Sequence, residues 1–177
     1  MKIFSGAAGL SFAIALALFF PDAEAKPRIG QLPKESVANR QLRTLDGRQY
    51  SLARLRGKVV VLDFFAVWCG HSREHIPTMT KLRGAEREDA LQIIGLAVKD
   101  RESTAERVKK FLQDMKITYP VGRISDPDFS GYVESKDVAV PQTLIYARDG
   151  RLVAHFSGHD DKIAADITAT INRELAK

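Results

Sequence analysis

Buried strands are predicted where apolar residues run without interruption. Residues 59–65 (VVVLDFF) and 91–98 (LQIIGLAV) are too apolar for strands that keep one face in solvent. Such runs are typical of central strands covered on both faces of a sheet. Two further strands are predicted at 142–146 and 151–157, and the turn sequence at 148–150 (RDG) indicates that they form a hairpin.

Helices are predicted where apolar residues recur at helical spacing. Residues 72–82 form the first helix, and Pro77 is expected to kink it because proline removes a backbone hydrogen bond. Ser103 and Glu106 have the spacing of a capping box, which predicts that a second helix opens there. Its core face is expected to consist of Val108, Phe111, Leu112 and Met115. A last helix is predicted over 160–175, with one apolar face made by Ile163, Ile167 and Ile171.

The chain ahead of the first buried strand is predicted to form a β-hairpin. Residues 41–45 and 48–50 flank the pair Asp46-Gly47, which favours a tight turn because glycine accepts a positive φ. Residues 26–39 contain two prolines and a glycine and are expected to be an extended lead-in. No regular element is predicted in the proline- and aspartate-containing stretch at 116–141. The predicted order is therefore a β-hairpin, then β-α-β-α, then β-β-α.

The first 25 residues have the pattern of a secretory signal peptide. A positive start at Met1-Lys2 precedes an apolar stretch at 3–20, and Ala23-Glu24-Ala25 has the small-x-small form of a cleavage site. We expect cleavage after residue 25 and export to the bacterial periplasm or another extracytoplasmic space. The alternative is an uncleaved membrane anchor, because about 18 apolar residues lie near the lower limit for crossing a bilayer.

The charge distribution of the chain limits the partners that it is expected to bind. The 177 residues carry a formal net charge of +5, and the basic residues are scattered along the chain. This distribution fits a basic surface better than a nucleic-acid groove, so no nucleic-acid partner is expected.

The sequence contains one cysteine, Cys69, which cannot form an internal disulfide. Cys69 is therefore either an inert buried residue or a thiol kept for chemistry.

The neighbours of Cys69 favour a reactive thiol. Cys69 lies between a buried strand and a helix, where a thiolate meets the free N–H groups and the positive end of the helix dipole. Cysteines in such positions have thiol pKa values lowered from about 8.5 to about 3.5–7.5. A protonated His71 would add to this effect, and Ser72 is placed to cap the helix or to bind the sulfur. Gly70 allows close backbone approach, and Trp68 is expected to shield the thiol.

The segment Trp68-Cys69-Gly70-His71-Ser72 resembles the W-C-x-x-C motif of thioredoxin-like proteins, with serine in place of the second cysteine. The segment at 57–66 is similar to the strand that enters the site in the TlpA/ResA-like thiol-disulfide oxidoreductases. Glu74 and Pro77 sit as in the active-site helix of that family, and residues 140–143 (VPQT) resemble its cis-proline loop.

This resemblance covers residues 40–177 and implies a single thioredoxin-like domain. The implied fold is α/β, with a central mixed β-sheet flanked by helices and an N-terminal β-hairpin. Cys69 matches the nucleophile of the family, and Pro141 matches the cis-proline that faces the thiol and helps to bind extended peptide. Asp100 falls near an acidic residue of the ResA-like branch and is a candidate proton acceptor. The remaining predicted site residues are Trp68, His71 and Ser72.

Ser72 changes the function that the resemblance implies. In a dithiol enzyme the second thiol resolves the mixed disulfide formed by the first, and an alcohol cannot do so. The sequence therefore predicts a monothiol thiol-disulfide oxidoreductase that depends on an external resolving thiol. Its expected partners are protein thiols or disulfides, with glutathione as a candidate. A membrane contact is expected only if the signal segment is uncleaved, and the oligomeric state is left open.

Three alternatives remain at this point. A one-cysteine peroxidase would have a threonine or serine three residues before its cysteine, where this chain has Ala66. A non-catalytic binding module would keep the fold without the chemistry. Metal handling would need Cys69, His71 and His75 to converge, since thiolate and imidazole suit copper or zinc. The favoured hypothesis requires neither a cofactor nor a metal.

Overall fold

The computed structural model of the chain describes residues 28–87, 89–136 and 138–177. The predicted signal peptide at 1–25 lies outside the described residues, so its cleavage stays a prediction. No helix within the described ranges has the length and apolar character needed to cross a membrane.

The described residues form a mixed α/β arrangement. In chain order the elements are helix α1 (Glu35–Ala38), strands β1 (Leu42–Arg43) and β2 (Gln49–Tyr50), a 3-10 turn (Leu52–Leu55), strand β3 (Val59–Phe65), helix α2 (Gly70–Ala85), strand β4 (Leu91–Val98), helix α3 (Ala105–Asp114), strand β5 (Val121–Ile124), helix α4 (Asp126–Val133), strands β6 (Gln142–Tyr146) and β7 (Leu152–Ser157), and helix α5 (Asp161–Leu175).

The central sheet has the strand order β5-β4-β3-β6-β7, and β1 and β2 form a separate hairpin. β3 pairs with β4 in parallel and with β6 in antiparallel orientation. The mixed sheet, the flanking helices and the N-terminal hairpin confirm the predicted fold class. Strands β3, β4 and β6 also begin and end at the predicted residues, because each is an uninterrupted buried run.

Strand β5 and helix α4 were missing from the predicted order, which was wrong over 116–141. Their local signals are weak: β5 has four residues, and α4 has only eight residues and an internal glycine, a poor helix former. A local cap and a tertiary contact stabilise α4. The hydroxyl of Ser125 accepts a hydrogen bond from the backbone N–H of Asp128, and the Phe129 ring stacks on Phe64 with centroids 4.3 Å apart.

Three smaller predictions also need correction. The capping box does not form, because Thr104 is the N-cap of α3 and accepts a hydrogen bond from the backbone N–H of Arg107. Ser103 is instead completely buried. Helix α2 begins two residues earlier and ends three residues later than predicted. The lead-in that was expected to be extended contains the single turn of α1.

The sheet separates two apolar cores, because successive side chains of a strand point to opposite faces. Leu62 and Phe64 of β3 pack on the face covered by α4. Val61 and Phe65 pack on the other face, together with apolar residues of α2, α3 and α5. Asp63 shares the alternation of Val61 and Phe65, so its completely buried carboxyl group points to the face that α2 and α5 cover.

Removing the Phe129 ring should destabilise the protein, because helix α4 has little intrinsic propensity to form. We expect Phe129→Ala to lower the free energy of unfolding by about 3–5 kcal/mol in urea titrations followed by circular dichroism. The matched control is Ile29→Ala, since Ile29 is 54% exposed. It should change the free energy by less than about 0.5 kcal/mol. A similarly small loss for Phe129→Ala would contradict the proposed anchoring of α4.

Candidate active site

Cys69 is the N-cap residue of α2 and is half-buried. The chain leaves β3 at Phe65 and turns through Val67-Trp68, and the backbone N–H of Cys69 then bonds to the carbonyl of Ala66 at 3.2 Å. The thiol donates a hydrogen bond to the carbonyl oxygen of Val140 at 3.4 Å. The sulfur therefore lies between the first turn of a sixteen-residue helix and the segment that enters β6.

The peptide bond between Val140 and Pro141 is cis. Pro141 is buried, and its carbonyl accepts a hydrogen bond from the N–H of Gly158 at 2.8 Å. β6 begins at the next residue, so its pairing with β3 carries Val140 to the end of the sheet where Cys69 lies. The contact between Cys69 and Val140 places the cis-proline segment beside the thiol. Peptide binding by Pro141 stays a prediction.

Ser72 and His71 have different environments from those expected. Ser72 is completely buried, and its hydroxyl accepts a hydrogen bond from the backbone N–H of Ala66 at 3.4 Å. It does not cap α2, which has no side-chain cap. The His71 side chain is 70% exposed, and its Nδ1 lies 3.3 Å from a carboxylate oxygen of Glu74. The contact observed for His71 is thus with Glu74, on the solvent side of the helix.

Trp68 and Asp100 form a pair at the rim of the site. The Trp68 side chain is exposed, and its indole N–H donates to Oδ2 of Asp100 at 2.8 Å. The other carboxylate oxygen accepts hydrogen bonds from the backbone N–H groups of Glu102 and Ser103. Partial burial raises the pKa of Asp100, but these hydrogen bonds outweigh burial and lower it overall. A lowered pKa makes a weaker base, so the proton-acceptor role remains only a prediction.

A buried polar cluster beneath the site was not predicted as a unit. Nε2 of His75 lies 3.1 Å from Oδ1 of Asp63 and 3.2 Å from the hydroxyl of Thr143, and all three side chains are buried. The hydroxyl of Tyr119 donates to the other oxygen of Asp63 at 3.4 Å. The ring of His159 contacts that of His75 edge-on, with centroids 5.4 Å apart. An aspartate inside the run VVVLDFF was the available signal, but its partners lie 12 to 80 positions away.

The charge state of His75 follows from its surroundings. Burial lowers the pKa of this imidazole, but the adjacent Asp63 carboxylate raises it further, so the net pKa lies above the ordinary value. The pKa of His159 is lowered by its own burial and by the neighbouring His75. Burial also raises the pKa of Tyr119, which keeps its phenol protonated as a donor.

Cys69, His71 and His75 do not converge on one point, because His71 is exposed beside Glu74 and His75 is buried against Asp63. Within the described ranges, no group of three or more histidine, cysteine, aspartate or glutamate side chains has the arrangement of a metal site. The geometry therefore does not assemble the metal-binding alternative from these residues.

Comparison with known proteins places this site in a family. The AhpC/TSA family model matches residues 33–155, which include Cys69, Pro141 and the Asp63–His75 pair. The chain belongs to the AhpC/TSA family. Within it, the chain is 28% identical over 162 residues to the thiol-disulfide oxidoreductase ResA of Bacillus thuringiensis, covering 92% of this chain and 86% of ResA.

Two further proteins are similar to this AhpC/TSA-family chain. The thioredoxin-like protein YneN of Bacillus subtilis is 30% identical over 96 residues, which span 54% of this chain and 56% of YneN. The crystal structure of a thioredoxin-family thiol:disulfide interchange protein from Chlorobium tepidum has a TM-score of 0.67 and 25% identity. The match covers 86% of this chain and 99% of the Chlorobium protein. The family resemblance predicted from the sequence is confirmed.

The Trp68–Asp100 hydrogen bond can be tested through fluorescence, since Trp68 is the one tryptophan of the sequence. We expect Asp100→Ala to lower the tryptophan anisotropy of the native protein, because the indole loses its acceptor and rotates more freely. Glu102→Ala is the matched control, because the Glu102 carboxylate pairs with Arg107 and not with Trp68. An unchanged anisotropy in Asp100→Ala would contradict the restraint.

The buried His75–Asp63 pair should make stability depend on pH. A histidine with a raised folded pKa contributes stability that is full below its unfolded pKa of about 6.5 and is lost as pH rises through the folded value. We expect the difference in unfolding free energy between wild type and His75→Gln to be larger at pH 6 than at pH 9. Urea titrations at both pH values measure it.

The exposed His71 provides the control for this pH dependence. His71→Gln should differ little from wild type at either pH, because the His71–Glu74 contact is largely solvated. A His75→Gln effect that is constant, or that grows with pH, would contradict a favourable ion pair between His75 and Asp63.

Proposed function

We propose that this protein is an exported thiol-disulfide oxidoreductase that works through the single thiol of Cys69. The observation that carries the proposal is the position of Cys69, at the start of α2 and in contact with the segment of the cis proline. The relatives named thiol-disulfide oxidoreductase and thiol:disulfide interchange protein support the same chemistry. The signal-peptide pattern at 1–25 supports export.

The first half-reaction joins Cys69 to the substrate in a mixed disulfide. Cys69 gives its proton to solvent, and the thiolate attacks one sulfur of a protein disulfide. The disulfide of the substrate breaks as the new sulfur–sulfur bond forms. The second substrate sulfur leaves as a thiolate and takes up a proton.

The second half-reaction needs thiols from outside the chain, because Cys69 is the one cysteine of the sequence. A small thiol such as glutathione attacks Cys69 Sγ in the mixed disulfide and releases the second substrate thiol. Another molecule of the small thiol then frees Cys69. Overall, two small thiols become one disulfide, and their two electrons and two protons reduce the substrate disulfide to two thiols.

Ser72 cannot carry out the second step within the chain. The family motif has a cysteine at this position. A serine hydroxyl neither attacks a disulfide sulfur nor acts as a leaving group in thiol–disulfide exchange. Its side chain is also enclosed by the protein and accepts a hydrogen bond from Ala66. The mixed disulfide on Cys69 should therefore persist until an external thiol arrives.

The single-thiol mechanism can be tested in a single turnover with a disulfide-bonded peptide. We expect the wild-type protein to accumulate a Cys69–peptide adduct, visible by intact-mass spectrometry, and to release reduced peptide only after glutathione is added. Ser72→Cys should release reduced peptide without glutathione, because a second thiol can then resolve the adduct. Cys69→Ala is the control and should form no adduct.

Two outcomes would contradict this mechanism. Release of reduced peptide by the wild-type protein without an external thiol would exclude a single-thiol cycle. Absence of any adduct would exclude the exchange activity. Peptide binding that persists in Cys69→Ala would then favour the non-catalytic binding module.

A further inference from the structure

The buried cluster beneath the site joins the two segments that meet at the sulfur. His75 lies in α2, the helix whose N-cap is Cys69. Thr143 lies in β6, three positions after Val140, whose carbonyl accepts the hydrogen bond of the thiol. A contact between His75 and Thr143 is therefore a second connection between the helix that carries the thiol and the strand that follows the cis proline.

The contact has defined geometry. Nε2 of His75 is 3.2 Å from the Thr143 hydroxyl and 3.1 Å from Oδ1 of Asp63. Asp63 and Thr143 are direct partners in the antiparallel register of β3 and β6, so the imidazole reaches the point where these strands pair. All three side chains are shielded from water, where no solvent competes for the interactions.

The two ring nitrogens of His75 differ in their hydrogen bonding. Nδ1 is buried and has no hydrogen-bond partner among the described residues. An unsatisfied buried nitrogen destabilises the fold, and an apolar side chain at this position would avoid that loss. Among the described residues, Oδ1 of Asp63 also has no hydrogen-bond partner, so its 3.1 Å contact with Nε2 is an ionic one. The hydrogen bond that the imidazole makes is the one between Nε2 and the Thr143 hydroxyl.

We propose that His75 is a positioning residue of the Cys69 site, which fixes the cis-proline segment against the start of α2 through Thr143. This inference rests on the proposed thiol-disulfide exchange. The bridge holds the Val140–Pro141 segment at the distance from Cys69 that lets an extended peptide present its disulfide to the sulfur. A small disulfide that needs no peptide alignment does not depend on the bridge.

Two chromogenic probes with the same leaving group separate these cases. The first is Ellman's reagent, and the second is a ten-residue peptide whose cysteine is in a mixed disulfide with thionitrobenzoate. The Cys69 thiolate forms a mixed disulfide with the peptide cysteine, or with one half of Ellman's reagent, and the thionitrobenzoate that leaves is measured by absorbance. The two attacked sulfurs differ in intrinsic reactivity, so the change in the ratio of the two rates from wild type to variant reports the alignment of the peptide.

Thr143→Val is the test variant, because it keeps the side-chain shape and removes the hydroxyl that His75 contacts. We expect the peptide reaction to slow by about fivefold or more while the reaction with Ellman's reagent stays within about twofold of wild type. Thr143→Ser keeps the hydroxyl and should restore the peptide rate to within about twofold. If Thr143→Val fails to fold, judged by circular dichroism and thermal unfolding, Thr143→Ala takes its place.

A second variant tests whether His75 and Thr143 act together. His75→Phe keeps an aromatic ring without nitrogens and should slow the peptide reaction selectively, as Thr143→Val does. Adding Thr143→Val to His75→Phe should then cause little further loss, because the interaction is already absent. Fully multiplicative losses in the double variant would overturn the bridge.

The remaining outcomes distinguish this inference from the function on which it rests. If the wild-type protein reacts with both probes and Thr143→Val changes neither rate, or slows both equally, the positioning role of His75 is wrong and the exchange chemistry stands. If the wild-type protein releases thionitrobenzoate from neither probe, the proposed function is overturned, and the positioning role falls with it.

Discussion

The antiparallel pairing of β3 and β6 is the constraint on which the site depends. β3 ends where the chain turns towards Cys69, and β6 begins directly after Pro141. Because the strands run in opposite directions with Phe64 opposite Gln142, the end of one and the start of the other meet at the same edge of the sheet. The contact between the thiol and the Val140 carbonyl follows from that register. A shift of one residue would move Pro141 and turn Asp63 away from Thr143.

The same register places Asp63 opposite Thr143 inside the protein. Burying a charged group is unfavourable unless a partner compensates for it, and His75 and Tyr119 provide that compensation for Asp63. The cluster lies on the face covered by α2, so it connects the helix of the active site to the centre of the sheet. The same residues therefore affect both the stability of the fold and the geometry of the site. For this reason, folding and reactivity need to be measured separately in variants at His75.

The strongest secondary-structure predictions came from positions where local sequence and tertiary environment agree. β3, β4 and β6 are continuously buried and mostly apolar, and burial on both faces favours that pattern, so their ends could be predicted to the residue. β5 and α4 could not, because β5 has only four residues and α4 is anchored by the stacking of Phe129 on Phe64, which lies 65 positions earlier in the chain.

The candidate site shows the same limit. The motif around Cys69 and the cis-proline segment could be predicted, because family resemblance marks both. The indole–carboxylate bond between Trp68 and Asp100 spans 32 positions, and the contact of His75 with Thr143 spans 68. Such contacts depend on how helices dock on the sheet, and no local pattern encodes them. The hydrogen bond from the Trp68 indole to Asp100 was not predicted for this reason.

The proposed function requires that the fold maintain Cys69 as a reactive thiol at the start of α2, in contact with the cis-proline segment. The most direct measurement is the second-order rate of alkylation by iodoacetamide at pH 6.5, for the native protein, the urea-unfolded protein and free cysteine. We expect the native protein to react at least about tenfold faster than free cysteine, and we expect unfolding to abolish the difference. A native rate equal to or below that of the unfolded protein would contradict it.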